Sequence, residues 1–380
     1  MIYYIILCVL VICLYFTASS KKFLLFSALL EKFCIFFAIL ISATRVDIGL
    51  DYNSYLSQIR RFSANGDEGF FAGWSFNAFI TFISQIKIIS FTDSFRIIIA
   101  ITSIITILAT LYFIKTFSNP NLQKQALGLY LLIPLFYLSS FNVIRSSLSI
   151  SIAYLAMAIF FKKKSLTSYV FLLLIAGTTH SLGIIFLITT LIVFILDKYT
   201  KKYIIENPKI ITIVFIALII AFFKIDTSAV TEILINIYSF FPFPDHYLIS
   251  GFKEVYQGKG IGLISVLPLS ILSAFLYLLL LNEKEERVKY IRAPLISCIF
   301  IPLIIFSSGI ITYAQYVRFM SPYLIFLILA LIEFINKLNY FRFFGAQIFI
   351  YTTSVLYFFR NIYITGEINN LIPYNSWLLP

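Results

Sequence analysis

Apolar runs of about 15–25 residues, separated by short basic clusters, repeat along almost the whole chain. About 20 apolar residues are what a helix needs to cross the hydrocarbon of a bilayer. In that medium each backbone N–H and C=O must be satisfied within the segment, so runs of this length fold as helices. The 380 residues are 61% hydrophobic and 12% charged, with a mean hydropathy of +0.96. A soluble domain is about 45–50% apolar and about 25% charged. The expected fold is therefore an all-α polytopic membrane helical bundle. Residues 1–380 form one integral membrane domain, with about 11–13 membrane segments including a short or re-entrant hairpin.

The runs fall at 1–20, 23–44, 71–90, 93–114, 126–141, 142–161, 166–196, 209–223, 261–281, 293–313, 319–335 and 343–359. The first lacks a basic region before it and reads as a retained span rather than a cleaved signal peptide. Glu31 and Lys32 interrupt the second run, where the span faces other helices or starts later. Asn77, Gln85 and Lys87 break 71–90, which need not cross fully. Residues 166–196 are too long for one helix at 1.5 Å per residue. The stretch Gly177-Thr178-Thr179-His180-Ser181 splits them into two short halves, with Lys162 to Lys164 before and Lys198, Lys201 and Lys202 after. Basic flanks belong on the cytoplasmic side, so this segment is read as a hairpin with His180 at its tip. Two polar segments remain: an outer loop at 45–70, and 224–260, the longest outer loop, which holds His246. With the N-terminus outside, the outer face collects Arg45, Arg145, His180 and Arg318 near span ends.

The net charge of +12 is read as basic cytoplasmic loops, not as a nucleic-acid site, because no basic soluble domain exists to carry one. Cys8, Cys13, Cys34 and Cys298 lie in apolar runs without a C-x-x-C pair and read as small hydrophobes. Two histidines are too few for a histidine metal cluster, and no metal or other cofactor is expected. Neither a phosphate-binding G-x-x-x-x-G-K-[ST] loop nor a G-x-S-x-G elbow occurs, which argues against ATP hydrolysis and serine-hydrolase chemistry.

The densest polar stretch is Arg45-Val46-Asp47-Ile48-Gly49-Leu50-Asp51-Tyr52, running on to Arg60-Arg61 and Asp67-Glu68-Gly69-Phe70. Ion pairing with neighbouring arginines is the plain role for Asp47 and Asp51, and a solvated loop carboxylate is the plain role for Glu68. Arg145 opens an apolar run rich in serines, which let helices approach closely. A snorkelling interfacial arginine is its plain role. An arginine facing outward runs against the positive-inside bias, and its planar fork suits bidentate binding of phosphate. Arg318, ahead of Met320-Ser321-Pro322-Tyr323, stands in a similar place. His180 falls in a helix break, where irregular backbone normally lines a cavity.

The succession Arg45-x-Asp47-x-Gly49-x-Asp51-Tyr52, Glu68-Gly69-Phe70, Asn142-x-x-Arg145, His180-Ser181 and Arg318 before Tyr323 resembles the EpsG family, grouped with Wzy-type polysaccharide polymerases. Ser146, Leu50 and Thr179 depart from residues usual at those places. The resemblance implies a glycosyltransferase-C-like bundle in the bacterial inner membrane. It would transfer a growing chain between undecaprenyl-diphosphate-linked oligosaccharides on the outer side. A flippase and a chain-length regulator are the implied protein partners. Under this reading Arg45, Arg145 and Arg318 bind the diphosphate, while His180, Asp51, Asp47 and Glu68 are candidates for the base. The rival readings are a lipid-linked oligosaccharide flippase or transporter, an O-acetyltransferase and an O-antigen ligase.

Overall fold

The computed structural model describes residues 2–18, 21–49, 52–53, 55–57, 73–86, 90–206, 263–308, 313–338, 340–366 and 371–378. Among the described residues the regular elements are helices: α1 (Ile2–Ala18), α2 (Leu24–Thr44), α3 (Trp74–Ser84), α4 (Phe91–Phe117), α5 (Gln123–Leu132), α6 (Ser139–Asn142), α7 (Ile144–Lys163), α8 (Leu166–Thr179), α9 (Ser181–Glu206), α10 (Leu263–Leu279), α11 (Glu286–Ser308), α12 (Tyr313–Asn336) and α13 (Tyr340–Thr365). Among the described residues four stretches are long and apolar enough to cross a membrane: Leu24–Thr44, Thr92–Phe117, Ile144–Lys163 and Ser181–Tyr199. Shorter apolar helices accompany them, and the whole is an all-α polytopic bundle. The expected span 209–223, the loop 224–260 and most of 45–70 lie outside the described residues.

Two expectations change, and a third, that residues 71–90 need not cross fully, holds. Residues 126–141 do not form one helix: α5 stops at Leu132. Ile133 turns extended at ψ 113° because Pro134 crowds the α conformation of the residue before it, and proline has no N–H for the next helical turn. The 166–196 run does break at His180, but the second half is not short. It continues as the 26-residue α9 to Glu206, because nothing after Ser181 interrupts the helical run. Residues 71–90 supply α3, whose 11 residues reach only about 16 Å at 1.5 Å each, well short of a crossing.

The chain gathers into two compact units, Met1–Ile185 with Ile335–Pro380, and Phe186–Phe334. In the first, α7 packs against both α4 and α8. Six of its buried residues are small: Ser146, Ser149, Ser151, Ala153, Ala156 and Ala158 are at most 6% exposed. Small residues let backbones approach where lipid offers no hydrophobic drive between helices. Close approach is visible in Ser149, whose Oγ donates to the Ala176 carbonyl of α8 at 2.6 Å. The α7–α8 turn is made by Lys164 in the left-handed region (φ 52°) and by Ser165, whose Oγ accepts from the Ser168 N–H. Folding back there brings the start of α7 beside the end of α8. Glu31 of α2 pairs with Lys115 of α4, so the charge that interrupts the second run does face another helix.

The C-terminal segment belongs to the same unit. Residues 371–378 return along the end of α2. Val46 N–H donates to Asn375 O (2.9 Å), Trp377 N–H to Thr44 O (3.0 Å) and Tyr374 Oη–H to Ile41 O (2.5 Å). This short antiparallel contact, with a bridge between Arg45 and Ser376, holds the chain as it leaves α2.

In the second unit, α10 packs along α11. Asp197 of α9 and Arg292 of α11 form an ion pair with side chains only 1% and 2% exposed. Arg292 Nε and Nη2 donate to the two carboxylate oxygens at 2.8 and 2.7 Å. Nη1 donates to the Leu280 and Leu281 carbonyls just past α10, and Tyr277 Oη–H donates to Asp197. Those carbonyls are ones a helix end leaves without intrahelical partners, so the arginine caps α10 while neutralising the buried acid.

Candidate functional site

The Arg45 loop explains its own glycine. Gly49 has φ 97°, and a Cβ there would stand 2.3 Å from the Phe141 carbonyl oxygen. Only a residue without a side chain fits both the conformation and the space. The loop therefore lies directly on Phe141-Asn142, the residues that lead through Val143 into Arg145. Two motifs far apart in sequence, Arg45 to Gly49 and Asn142 to Arg145, become one packed unit.

Arg45 itself is 1% exposed. Its Nη1 donates to the Ser42 carbonyl (2.5 Å), Ser42 Oγ (2.9 Å) and Ser103 Oγ (3.1 Å), and its Cζ lies 4.7 Å from the centre of the Phe141 ring. Among the described residues no carboxylate pairs with it. Burial pushes its pKa down to about 10, against the opposing pull of nearby tyrosines. Its Nη1 is thus spent on protein groups beneath the loop, while its Nε, like that of Arg145, is buried with no hydrogen-bond partner among the described residues. Asp47 is exposed, adopts φ 56° and accepts a 2.7 Å bond from Asn53 Nδ2. Asp51 and Glu68 lie outside the described residues. Arg318 stands in α12, in the second unit, and its side chain is likewise outside what is described.

Arg145 and His180 do come together, through the α7–α8 turn. Ser146, the residue after Arg145, lies 3.2 Å from His180 Nε2 through its Oγ. The other ring nitrogen, Nδ1, accepts from the Leu182 N–H at 3.1 Å. A nitrogen that accepts carries no proton, so in the neutral ring the proton sits on Nε2, which donates to Ser146. Ser149 Oγ, one helical turn further on, is 3.2 Å from the His180 carbonyl and holds the break against α7.

A third element joins them. Gly73, at the start of α3, donates its N–H to the Thr178 carbonyl at 3.0 Å, and Ser75 Oγ bonds Thr178 Oγ1. A Cβ on Gly73 would stand 3.0 Å from Arg145 Nη1 and 3.7 Å from its Cζ. The half-buried Arg145 guanidinium therefore lies against the bare face of this glycine. Its Nε is buried and has no hydrogen-bond partner among the described residues.

Three helices begin at this point: α3 after Gly73, α7 after Val143 and α9 after His180. Neither Gly73 nor Val143 caps its helix with a side chain. Uncapped first-turn N–H groups and the positive end of the helix dipole favour an anion. A guanidinium with an unmet donor adds a full charge to the same spot. The arrangement can hold a phosphate-like group in a setting of low dielectric, where such contacts are strong. Among the described residues no three of His, Cys, Asp and Glu gather as metal ligands.

Of these groups, sequence reading singled out Arg145 and His180 and treated the serines only as packing residues. It missed Gly73 altogether. A lone glycine after a long polar loop carries no periodic signal, and its importance lies in a positive φ and a neighbour 72 positions away. The model of the EpsG family matches residues 29–376, nearly the whole chain. Neither a curated protein nor a solved structure matches it.

Proposed function

As the chain belongs to the EpsG family, a Wzy-type polymerase-like family, we propose that it joins undecaprenyl-diphosphate-linked oligosaccharide repeat units into O-antigen, capsule or exopolysaccharide on the outer side of the bacterial inner membrane. In this reaction a hydroxyl of the acceptor unit attacks the anomeric carbon of the donor sugar. The bond from that carbon to the diphosphate oxygen breaks, the hydroxyl proton passes to a base, and negative charge is left on the lipid diphosphate. No nucleotide is consumed, because the energy lies in the sugar–diphosphate bond.

The observation that carries this reading is Arg145: a guanidinium whose Nε has no partner among the described residues, set where three helices begin. That group neutralises the departing diphosphate, and its fixed orientation means that little reorganisation is needed as charge develops. Arg318 keeps the diphosphate-binding role that the family resemblance implies for it. Arg45 acts from beneath the loop, holding Phe141 and through it the start of α7. His180, protonated on Nε2, donates a hydrogen bond to the substrate or through Ser146. The base role then falls to a carboxylate of the outer loop, Asp47, Asp51 or Glu68. The lipid bilayer presents both substrates, with a flippase delivering new units and a chain-length regulator acting on the product.

Arg145→Ala is expected to leave cells with unpolymerised lipid-linked units or single repeat units in place of a ladder of long chains. Arg145→Lys is expected to be substantially impaired, since a point charge does not replace a planar fork. A normal ladder from Arg145→Ala, at wild-type protein level in the membrane, would sink the proposal.

A further inference from the structure

We propose that Gly73 is a positioning residue for this site: it forms the seat of the Arg145 guanidinium, and its lack of a side chain sets where that charge can stand. The inference rests on the diphosphate reading of Arg145 and goes a step beyond it. Gly73 has φ 121°, a conformation L residues rarely adopt, and its N–H is committed to Thr178 at the end of α8. The residue is thus pinned to the hairpin that carries Arg145. Any Cβ would enter the space 3.0 Å from Nη1, with the Thr179 carbonyl next nearest at 3.9 Å beyond Cζ. The group that must give way is the far end of a flexible side chain and not backbone. Substitution therefore displaces the guanidinium in addition to straining the backbone at the start of α3.

With Nη1 and Cζ beside Gly73 and Nε buried, the fork has little room to turn. Holding it before substrate arrives lowers the ordering cost of binding an anion. Moving it by a few tenths of an ångström would misalign donors whose strength depends steeply on angle.

The test is a double-variant cycle on purified full-length protein in detergent micelles, with farnesyl diphosphate as the water-soluble probe and farnesol as the control for its lipid tail. Arg145→Ala is expected to weaken farnesyl diphosphate binding about tenfold or more, as for loss of a charge-assisted contact, and to leave farnesol unaffected. Gly73→Ala is expected to weaken it by a similar factor, and the double variant to bind no more weakly than Arg145→Ala. Wild-type binding by Gly73→Ala alongside weak binding by Arg145→Ala would overturn the seat. So would a double variant in which the two losses multiply, because Gly73 would then act independently of Arg145. Wild-type binding by Arg145→Ala would instead overturn the diphosphate reading itself. If Gly73→Ala alone is too unstable to titrate, thermal unfolding decides. Removing the guanidinium vacates the space a Cβ needs, so the double variant is expected to unfold at a higher temperature than Gly73→Ala, and a double variant no more stable would refute the inference.

Discussion

Asp197→Asn in the second unit isolates a buried charge with little change in shape. Asp197 accepts from Arg292 Nε, from Arg292 Nη2 and from Tyr277 Oη, and the pair is almost wholly removed from solvent. The asparagine keeps one oxygen but turns the other into an N–H2 group facing a donor. Arg292 then remains buried, still positive, with its Nη1 on the Leu280 and Leu281 carbonyls but without a counter-charge. Breaking a buried pair by removing one partner costs about 3–5 kcal/mol. At ~2–4 °C per kcal/mol for a unit of this size, the midpoint of thermal unfolding should fall by about 6–20 °C. Fluorescence-detected unfolding of the detergent-solubilised protein reads this directly. Replacing both partners, Asp197→Leu with Arg292→Met, removes the uncompensated charge. The double variant leaves Tyr277 and the Leu281 carbonyl short of a partner, at about 1 kcal/mol each, while Leu280 keeps the Glu283 N–H, so it should still be more stable than Asp197→Asn. A midpoint for Asp197→Asn within about 2 °C of wild type would refute the reasoning, since it would mean that Arg292 reaches water. A double variant as unstable as the single would show that lost hydrogen bonds, not charge, set the cost.

Two further outcomes concern the Arg45 loop. Gly49→Ala places a methyl against the Phe141 carbonyl and in a conformation unfavourable to alanine; the conformation alone costs about 1–3 kcal/mol, and the overlap adds to it. Its unfolding midpoint should fall clearly and polymer formation should drop with it, and an unchanged midpoint would show that the loop does not rest on Phe141. Deleting residues 371–380 removes the acceptor of the Val46 N–H and the Trp377 and Tyr374 bonds to the end of α2. Amide hydrogen exchange at Val46 should then accelerate, whereas exchange in α8 should not, and full protection at Val46 in the truncated protein would rule out the tail as the clamp.

The positions of the helices were legible from hydropathy because the requirement is local: a segment in lipid must satisfy its own backbone, so apolar length alone nearly decides what it becomes. The break at His180 was legible for the same reason, from an apolar run too long for one helix and a Gly-Thr-Thr interruption. Where the boundary depended on one residue's backbone, the run length misled. Pro134 ends α5 inside a continuous apolar stretch, and α9 runs past the lysines expected to stop it.

Arg145 and His180 stood out because each is a polar group that the membrane makes costly, so composition marks them without any knowledge of contacts. Their meeting was another matter. It follows from one left-handed lysine at the α7–α8 turn and from serines small enough to let those helices touch. Whether an arginine is open or enclosed also turns on its neighbours. Arg45 looked as available as Arg145, yet Ser42, Ser103 and Phe141 enclose it. Asp197 and Arg292, 95 positions apart in the sequence, are one buried pair. Gly73 had no signature at all. Sequence alone thus determined which segments are helical and apolar and which charges interrupt them, because those are properties of single segments. The tertiary structure decided which of those charges stay partly open and which are enclosed or paired, because that depends on helix ends brought together from distant parts of the chain.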